Sequence, residues 1–464
     1  MIPLHSRVAA IDDVEDHLQK IVWGLGKAGF CAIPFFFEDG KLESPPDRPL
    51  PGLRLVFSDI HLVGGGPNND KTHAANIILC LKKIVTTGPY VLIFWSQFPG
   101  DSEKIASLIQ ERAADAGLTP PIGYAAINKN EVFKIPAEDG DDAFDAAKLR
   151  DLILDRIKVF KTLAVATSWE DRASRAAART TDRLFELVKG SANVAEDWEK
   201  LLAFLACEAV GQQQAKESLT VALDSALLPL LEDQLSLIGN EPAPAAEDAQ
   251  RLLDIVSGDG TRERPAVVAA SQLNTSYLIE ELAASSGTRM WARGTVTAIG
   301  SGFVNSGPFV NAFGQDDGAL IRQEFATRDL DTEENRSTRL HIVELGPECD
   351  HVQGKVSTHR YLLALLVPVS LIGAFTYVAK GGKKSSGPPR FRNDSVMDIG
   401  KVSLKTTPPG EWHLLVSCRC FMALAARTSI DGKPSFRLRR ALLEEVAHRY
   451  ATHARRPGVM RFPG

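Results

Sequence analysis

Asp12, Asp13, Asp59, Ser96 and Lys129 are the residues best placed for chemistry, because each falls at or just past the end of a short apolar run in the first third of the chain. If those runs are parallel strands, their carboxyl ends meet at one crevice, where open α/β sheets carry out their reactions. Three carboxylates gathered there repel one another unless a divalent cation lies between them, and an all-oxygen donor set suits Mg²⁺. Asp12, Asp13 and Asp59 are the expected ligands. The ion would also neutralise charge on an incoming phosphoryl group, with Lys129 pairing to its oxygens from across the crevice. Asp59 is then the expected nucleophile, forming an acyl phosphate. The plainer alternative is that these are loop acids, with Asp12 or Asp13 capping the helix that follows.

The elements that must position these residues can be read from the spacing of apolar residues. Five strands are expected, at 7–11 (RVAAI), 31–37 (CAIPFFF), 53–58 (LRLVFS), 90–95 (YVLIFW) and 122–127 (IGYAAI). Helical patterns at 14–27, 71–85 and 102–116 lie between most of them, and this alternation predicts a doubly wound parallel sheet with crossover helices. The link between the second and third strands, EDGKLESPPDRPLPG, carries four prolines, so no helix is expected there. Gly64–Asp70 (GGGPNND) lacks the G-x-x-x-x-G-K-[ST] pattern of a P-loop and reads as a flexible loop on the acceptor side.

This constellation resembles the receiver domain of two-component response regulators, over residues 5 to about 135. The matching motifs are the acidic pair in AAIDDVEDH, the acceptor in LVFSDIHLVGG, the hydroxyl in LIFWSQFPG and the lysine in AAINKNEV. The resemblance implies a flavodoxin-like five-stranded sheet, Mg²⁺ on Asp12 and Asp13, phosphorylation of Asp59 by a sensor histidine kinase, a Ser96 hydroxyl that turns to the phosphoryl oxygen, and Lys129 paired with it. The chain departs from the family in three ways. Asn130 stands where the family lysine is usually followed by proline, the helix after the second strand is missing, and the spacings of 37 residues from Asp59 to Ser96 and 33 from Ser96 to Lys129 are stretched.

From residue 141 to about 239 the pattern is almost wholly helical, and GNEPAPAAEDAQ, from Gly239, reads as a linker. Beyond it strands are expected in RMWARGTVTAIG, RLHIVEL and EWHLLVSCRC, and a basic helix in FRLRRALLEEVAHRYATHARR. That helix is expected to bury its apolar face and solvate its charges, an acidic or nucleic-acid partner being the other use of such a face. The expected division is a receiver-like domain at 1–137, a helical connector or bundle at 138–264, and a mixed α+β domain at 265–464. Residues 361–379 (YLLALLVPVSLIGAFTYVA) carry no charge and are long enough to span a bilayer, but Pro368, Ser370, Gly373 and Thr376 interrupt the run, which favours two buried strands.

Two further groups carry residue types that could form a site. Cys349, His351, His413, Cys418 and Cys420 have the residue types of a zinc site but no C-x-x-C knuckle, so strand residues are the simpler reading. In VELGPECDHVQGK, Cys349, Asp350 and Lys355 resemble a Cys-Asp…Lys signature of uncharacterised C-terminal domains in bacterial conflict systems. The plain alternative is a strand end at which Asp350 caps a turn and pairs with Lys355 or Arg360.

The 464 residues, 44% hydrophobic and 24% charged with a net charge of −5, describe a folded multidomain chain with no general electrostatic attraction to nucleic acid. Six scattered cysteines and a start without a signal-peptide pattern lead to the expectation of a cytoplasmic protein with reduced thiols. No membrane association is expected, and a homo-oligomer is compatible with the sequence. A receiver joined to the Cys-Asp domain is similar in layout to receiver proteins of prokaryotic antiviral two-component-like systems, most of all the phosphate-sink component of the Detocs defence system. That likeness implies a phosphate sink or signalling component in antiphage defence. The alternatives are an effector whose C-terminal activity is gated by receiver phosphorylation, and an adaptor with an inactive receiver; a defence effector protein is a further expected partner.

Overall fold

The computed structural model describes residues 7–62, 70–132, 145–158, 160–238, 246–257, 264–282, 292–377, 390–405 and 409–455. Most of GGGPNND therefore lies outside the described residues. The chain divides into two compact units, Met1–Leu187 with Leu230–Arg262, and Val188–Pro229 with Glu263–Gly464.

The first unit runs β1 (Val8–Asp12), α1 (Glu15–Lys27), β2 (Ala32–Glu38), β3 (Lys41–Leu42), β4 (Leu55–Ser58), α2 (Asp70–Ile84), β5 (Val91–Ser96), α3 (Ser102–Ala113), β6 (Gly123–Asn128), α4 (Ala146–Lys158) and α5 (Lys161–Glu186). Among the described residues these strands form one sheet in the order β3-β2-β1-β4-β5-β6, and all neighbours are parallel except the β2–β3 hairpin. The five expected strands are thus present, with the two-residue β3 as a sixth at the edge. The proline-rich link forms this hairpin and no helix.

Alternation along the strands sends apolar side chains to both faces, which is why they read as continuous apolar runs. Ala9, Ile11, Val56, Leu92 and Phe94 pack under α2 and α3 with Ile77, Leu81, Ile105 and Ile109. Val8, Ala10, Leu55, Phe57, Ile93 and Trp95 pack under α1 with Leu18, Ile21 and Leu25. Leu149, Ile153 and Leu163 of α4 and α5 are buried in that same cluster, so the unit continues past residue 137, where the sequence pattern suggested an edge. Phe160 of the α4–α5 link lies against Gly123, and Arg54 bonds Glu170 of α5 at 2.5 Å.

The second unit begins with α6 (Val194–Val210), α7 (Gln212–Glu217) and the first part of α8 (Leu219–Ile238). The expected bundle at 138–264 is therefore shared between the units. α9 (Ala246–Ser257) packs on α5 in the first unit and occupies part of the expected linker. The rest comprises α10 (Ala270–Leu278), β7 (Ile279–Glu281), β8 (Thr295–Ile299), four short helices α11 (Ser301–Val304), α12 (Gly307–Phe313), α13 (Asp317–Glu324) and α14 (Thr332–Ser337), then β9 (Arg339–Glu344), α15 (Glu348–Val352), β10 (Thr358–Pro368), β11 (Thr376–Tyr377), β12 (Arg390–Phe391), β13 (Val396–Leu404), β14 (Gly410–Ala425), β15 (Gly432–Leu438) and α16 (Arg440–Ala454).

Among the described residues its main sheet has seven strands in the order β13-β14-β10-β9-β8-β15-β7, antiparallel at every pairing. The uncharged run at 361–379 is the body of β10, a 3-10 turn at Val369–Ala374 and β11, with its last two residues outside the described set. No described helix is long and apolar enough to cross a membrane. The C-terminal helix starts at Arg440, because Phe436 and Leu438 belong to β15. Its apolar face, Leu442, Leu443 and Val446, is buried with β-sheet residues, as expected.

Candidate functional site

The strand ladder brings the five candidate residues to one end of the sheet. Ile11 pairs with Ser58, which puts Asp12 and Asp59 one step further on neighbouring strands, and the Asp59 N–H donates to the Ile11 carbonyl at 3.0 Å. Ser96 pairs with Asn128, the residue before Lys129. Asp12, Ser96 and Lys129 are buried and Asp59 nearly so, while Asp13 is half-exposed at the mouth.

The Lys129 ammonium is fully buried and lies 2.7 Å from Asp12 Oδ2 and 2.7 Å from Asp59 Oδ2. Each aspartate uses its other oxygen on backbone: Asp12 Oδ1 accepts from Val14 N–H at 3.0 Å and Asp59 Oδ1 from Ile60 N–H at 2.7 Å. Val14 is the N-cap of α1 and no side chain caps that helix, so Asp12 meets the helix start through its bond to the Val14 N–H rather than as the capping residue. The Ser96 hydroxyl accepts from Phe98 N–H at 3.2 Å.

Asn130 leaves Lys129 in a single 3-10 turn, Lys129–Glu131, held by the Asn128 side chain accepting from Asn130 N–H at 3.0 Å. A proline at 130 would lack that donor, so this turn uses a backbone N–H that Asn130 supplies.

One carboxylate oxygen from each of Asp12, Asp13 and Asp59 lies within 4.8 Å of the others. Burial, and then the Asp59 charge, push the Asp12 carboxyl up to about 7 against the opposing pull of Lys129. Burial and Asp59 likewise raise Asp13. One lysine faces three carboxyl groups here, and their oxygen donors are compatible with a metal site.

Three histidines around this crevice do not stand out in the sequence. His17, one turn into α1, has Nδ1 3.3 Å from the Lys129 ammonium and 3.9 Å from Asp12 Oδ1. Its only sequence signal is its position as the last residue of AAIDDVEDH, on the first turns of a helix starting at the acidic pair. His61 follows Asp59 by two residues, stands 3.5 Å from Asp101 and meets His73 edge-on at 4.5 Å between ring centres. Both ring nitrogens of His73 are buried without a hydrogen bond.

The cysteine and histidine pentad of the second unit is not assembled. His413 pairs with Asp398 at 2.9 Å, Cys418 and Cys420 are buried along β14, and His351 instead faces Glu344 at 2.9 Å. The Asp350 pairing also differs from expectation, since the Lys355 ammonium bonds Gln353 at 2.7 Å while Asp350 meets the Cys349 thiol at 3.5 Å.

No protein-family model, curated protein or solved structure matches this chain.

Proposed function

We propose that the first unit is a receiver-type phosphoacceptor in which Asp59 takes a phosphoryl group from a sensor histidine kinase. The observation that carries this reading is the buried Lys129 ammonium joining Asp12 and Asp59 at the carboxyl edge of the sheet, with Asp13 at its mouth. The strand order fits too: the five parallel strands follow 2-1-3-4-5 when β3 is set aside, and the crevice lies beside the point where that order reverses.

In the transfer, an Asp59 carboxylate oxygen attacks phosphorus, the P–N bond of phosphohistidine breaks, and its electron pair returns to the imidazole. Asp12, Asp13 and Asp59 would hold Mg²⁺, which supplies charge neutralisation for the phosphoryl oxygens. Lys129 then pairs with a phosphoryl oxygen, and the Ser96 hydroxyl turns to another. The protein acts as a phosphate sink or signalling component in antiphage defence, in the manner of the Detocs component its layout resembles.

Incubation of the full chain with acetyl phosphate or a phosphorylated histidine kinase should give an acid-stable, hydroxylamine-labile label that requires Mg²⁺ and disappears in Asp59→Asn. A label that persists in that variant, or none in the wild type with any donor, would refute the assignment.

A further inference from the structure

We propose a second metal site, in the other unit, at which Glu344, His351 and His359 bind a divalent transition metal of the zinc class and leave one coordination position open.

The three residues converge through the β9–β10 hairpin. Glu344 is the last residue of β9 and pairs with Tyr361 in the ladder, so both project from the same face of the sheet. His359 is two residues before Tyr361 on β10 and shares that face, while α15, in the connection, brings His351 back over it. One donor atom from each residue lies within 4.8 Å of the others. His351 Nε2 stands 2.9 Å from Glu344 Oε2, and His359 Nδ1 stands 3.5 Å from Glu344 Oε1. Ligands held at about 2.0–2.1 Å around a tetrahedral zinc are about 3.3 Å apart, a spacing these two distances bracket.

Two further observations favour a metal over a plain histidine–glutamate ion pair. Although it is close to the carboxylate, His351 Nε2 is buried and makes no hydrogen bond, so the approach lacks the alignment that a proton between the two atoms requires. In addition, Gly346 keeps the space beside the donors clear. A Cβ there would fall 2.6 Å from His351 Nε2 and 2.7 Å from Glu344 Oε1. The turn is fixed from behind, with Gly346 N–H donating to Glu344 Oε2 at 3.0 Å and Arg293 Nε to the Gly346 carbonyl at 3.0 Å.

Two imidazoles and a carboxylate suit zinc and its neighbours better than Mg²⁺, whereas the oxygen-only group in the first unit has the reverse preference. Three protein donors leave a fourth position for water or a substrate oxygen, as in open zinc sites. The Glu344 carboxylate and two neutral imidazoles would give the filled site a net charge of +1.

The test uses the full chain, stripped with chelator and dialysed into excess Mg²⁺ to occupy the oxygen-only site. Addition of Co²⁺ should give one equivalent with visible d–d bands of low coordination number, and Zn²⁺ should displace it and raise the unfolding temperature. Asp59→Asn should retain the bands. His351→Asn and His359→Asn should lose them and weaken zinc binding by more than the about 10–100-fold that loss of an outer-shell partner costs. Gly346→Ala, which keeps every ligand, should weaken binding while circular dichroism shows an intact fold. Wild-type protein that retains neither ion, or bands that survive in the doubly substituted His351→Asn/His359→Asn chain, would overturn the assignment.

Discussion

The Lys129 ammonium lies 2.7 Å from Oδ2 of Asp59, a residue seventy positions earlier in the chain, and its distance to Asp12 Oδ2 is the same. A single buried cation thus serves two carboxylates on adjacent strands. Removing it strands two charges in a place that water barely reaches, a loss of about 3–5 kcal/mol by analogy with other buried pairs. Lys129→Met should therefore lower the urea midpoint sharply in chelator, and Mg²⁺ should restore part of the difference. A variant that unfolds with the wild type would show that the ammonium is not what holds the acids together.

The pH dependence follows from Asp12. Its carboxyl stands at about 7 in the folded protein against an ordinary value of 3.8, with burial as the leading cause. Between those values the folded form holds a proton that the unfolded chain has released, so the stability Asp12 contributes is fully present below about 4 and is lost as pH rises through about 7. In chelator the melting temperature should fall across that window, and Asp12→Asn should flatten the slope. Mg²⁺ affinity should rise over the same window, since ion and proton compete for one carboxylate. A melting temperature that rises with pH in the wild type but not in Asp12→Asn would contradict this.

Packing of α4 against α1 can be tested at Gly24. A Cβ on this residue would run into the Leu149 side chain, which is fully buried. Gly24→Ala should cost about 1–3 kcal/mol, as overpacking in tight cores does. In combination with Leu149→Ala the two costs should fall short of their sum by at least about 0.5 kcal/mol, the signature of direct contact. Strict additivity would place α4 elsewhere.

In the second unit, the Glu324 carboxylate is fully buried and accepts from Ser395 Oγ at 2.8 Å, Ser417 Oγ at 2.6 Å and Asn393 Nδ2 at 3.2 Å, with Arg419 also paired to it. Ser417→Ala should lower unfolding free energy by about 1.5–3 kcal/mol, the range for a hydrogen bond to a charged group. Calorimetry of the full chain would read the change, and a neutral result would mean that the other donors close over the gap.

The parts of this protein legible in sequence are those set by local pattern. The strands β1, β4 and β5 are apolar because both faces are covered, and a charged or polar residue ends or follows each run at the same edge of the sheet. Asp12, Asp59, Ser96 and Lys129 meet for that reason, although the sequence does not show that one ammonium reaches two acids. His17 escapes notice because a lone histidine on an amphipathic helix carries no pattern. The helical spacing of α4 shows that it has an apolar face but not which core takes it in. At 436–438 two periods overlap, since Phe436 and Leu438 alternate as in a strand while Leu442, Leu443 and Val446 repeat as in a helix. The Glu344, His351 and His359 grouping needs β9 to pair with β10 before it exists at all, so cysteine and histidine spacing pointed to a different set.

β10 has a consequence for how the chain is made. Its residues Tyr361–Val367 are almost wholly shielded, and its two ladder neighbours are β9, already synthesised, and β14, which starts at Gly410. During translation this wholly uncharged segment therefore leaves the ribosome with one flank bare, and it stays so until the 410–425 stretch follows. Chaperone demand should peak in that interval, and nascent chains arrested before Gly410 should be the ones that sediment.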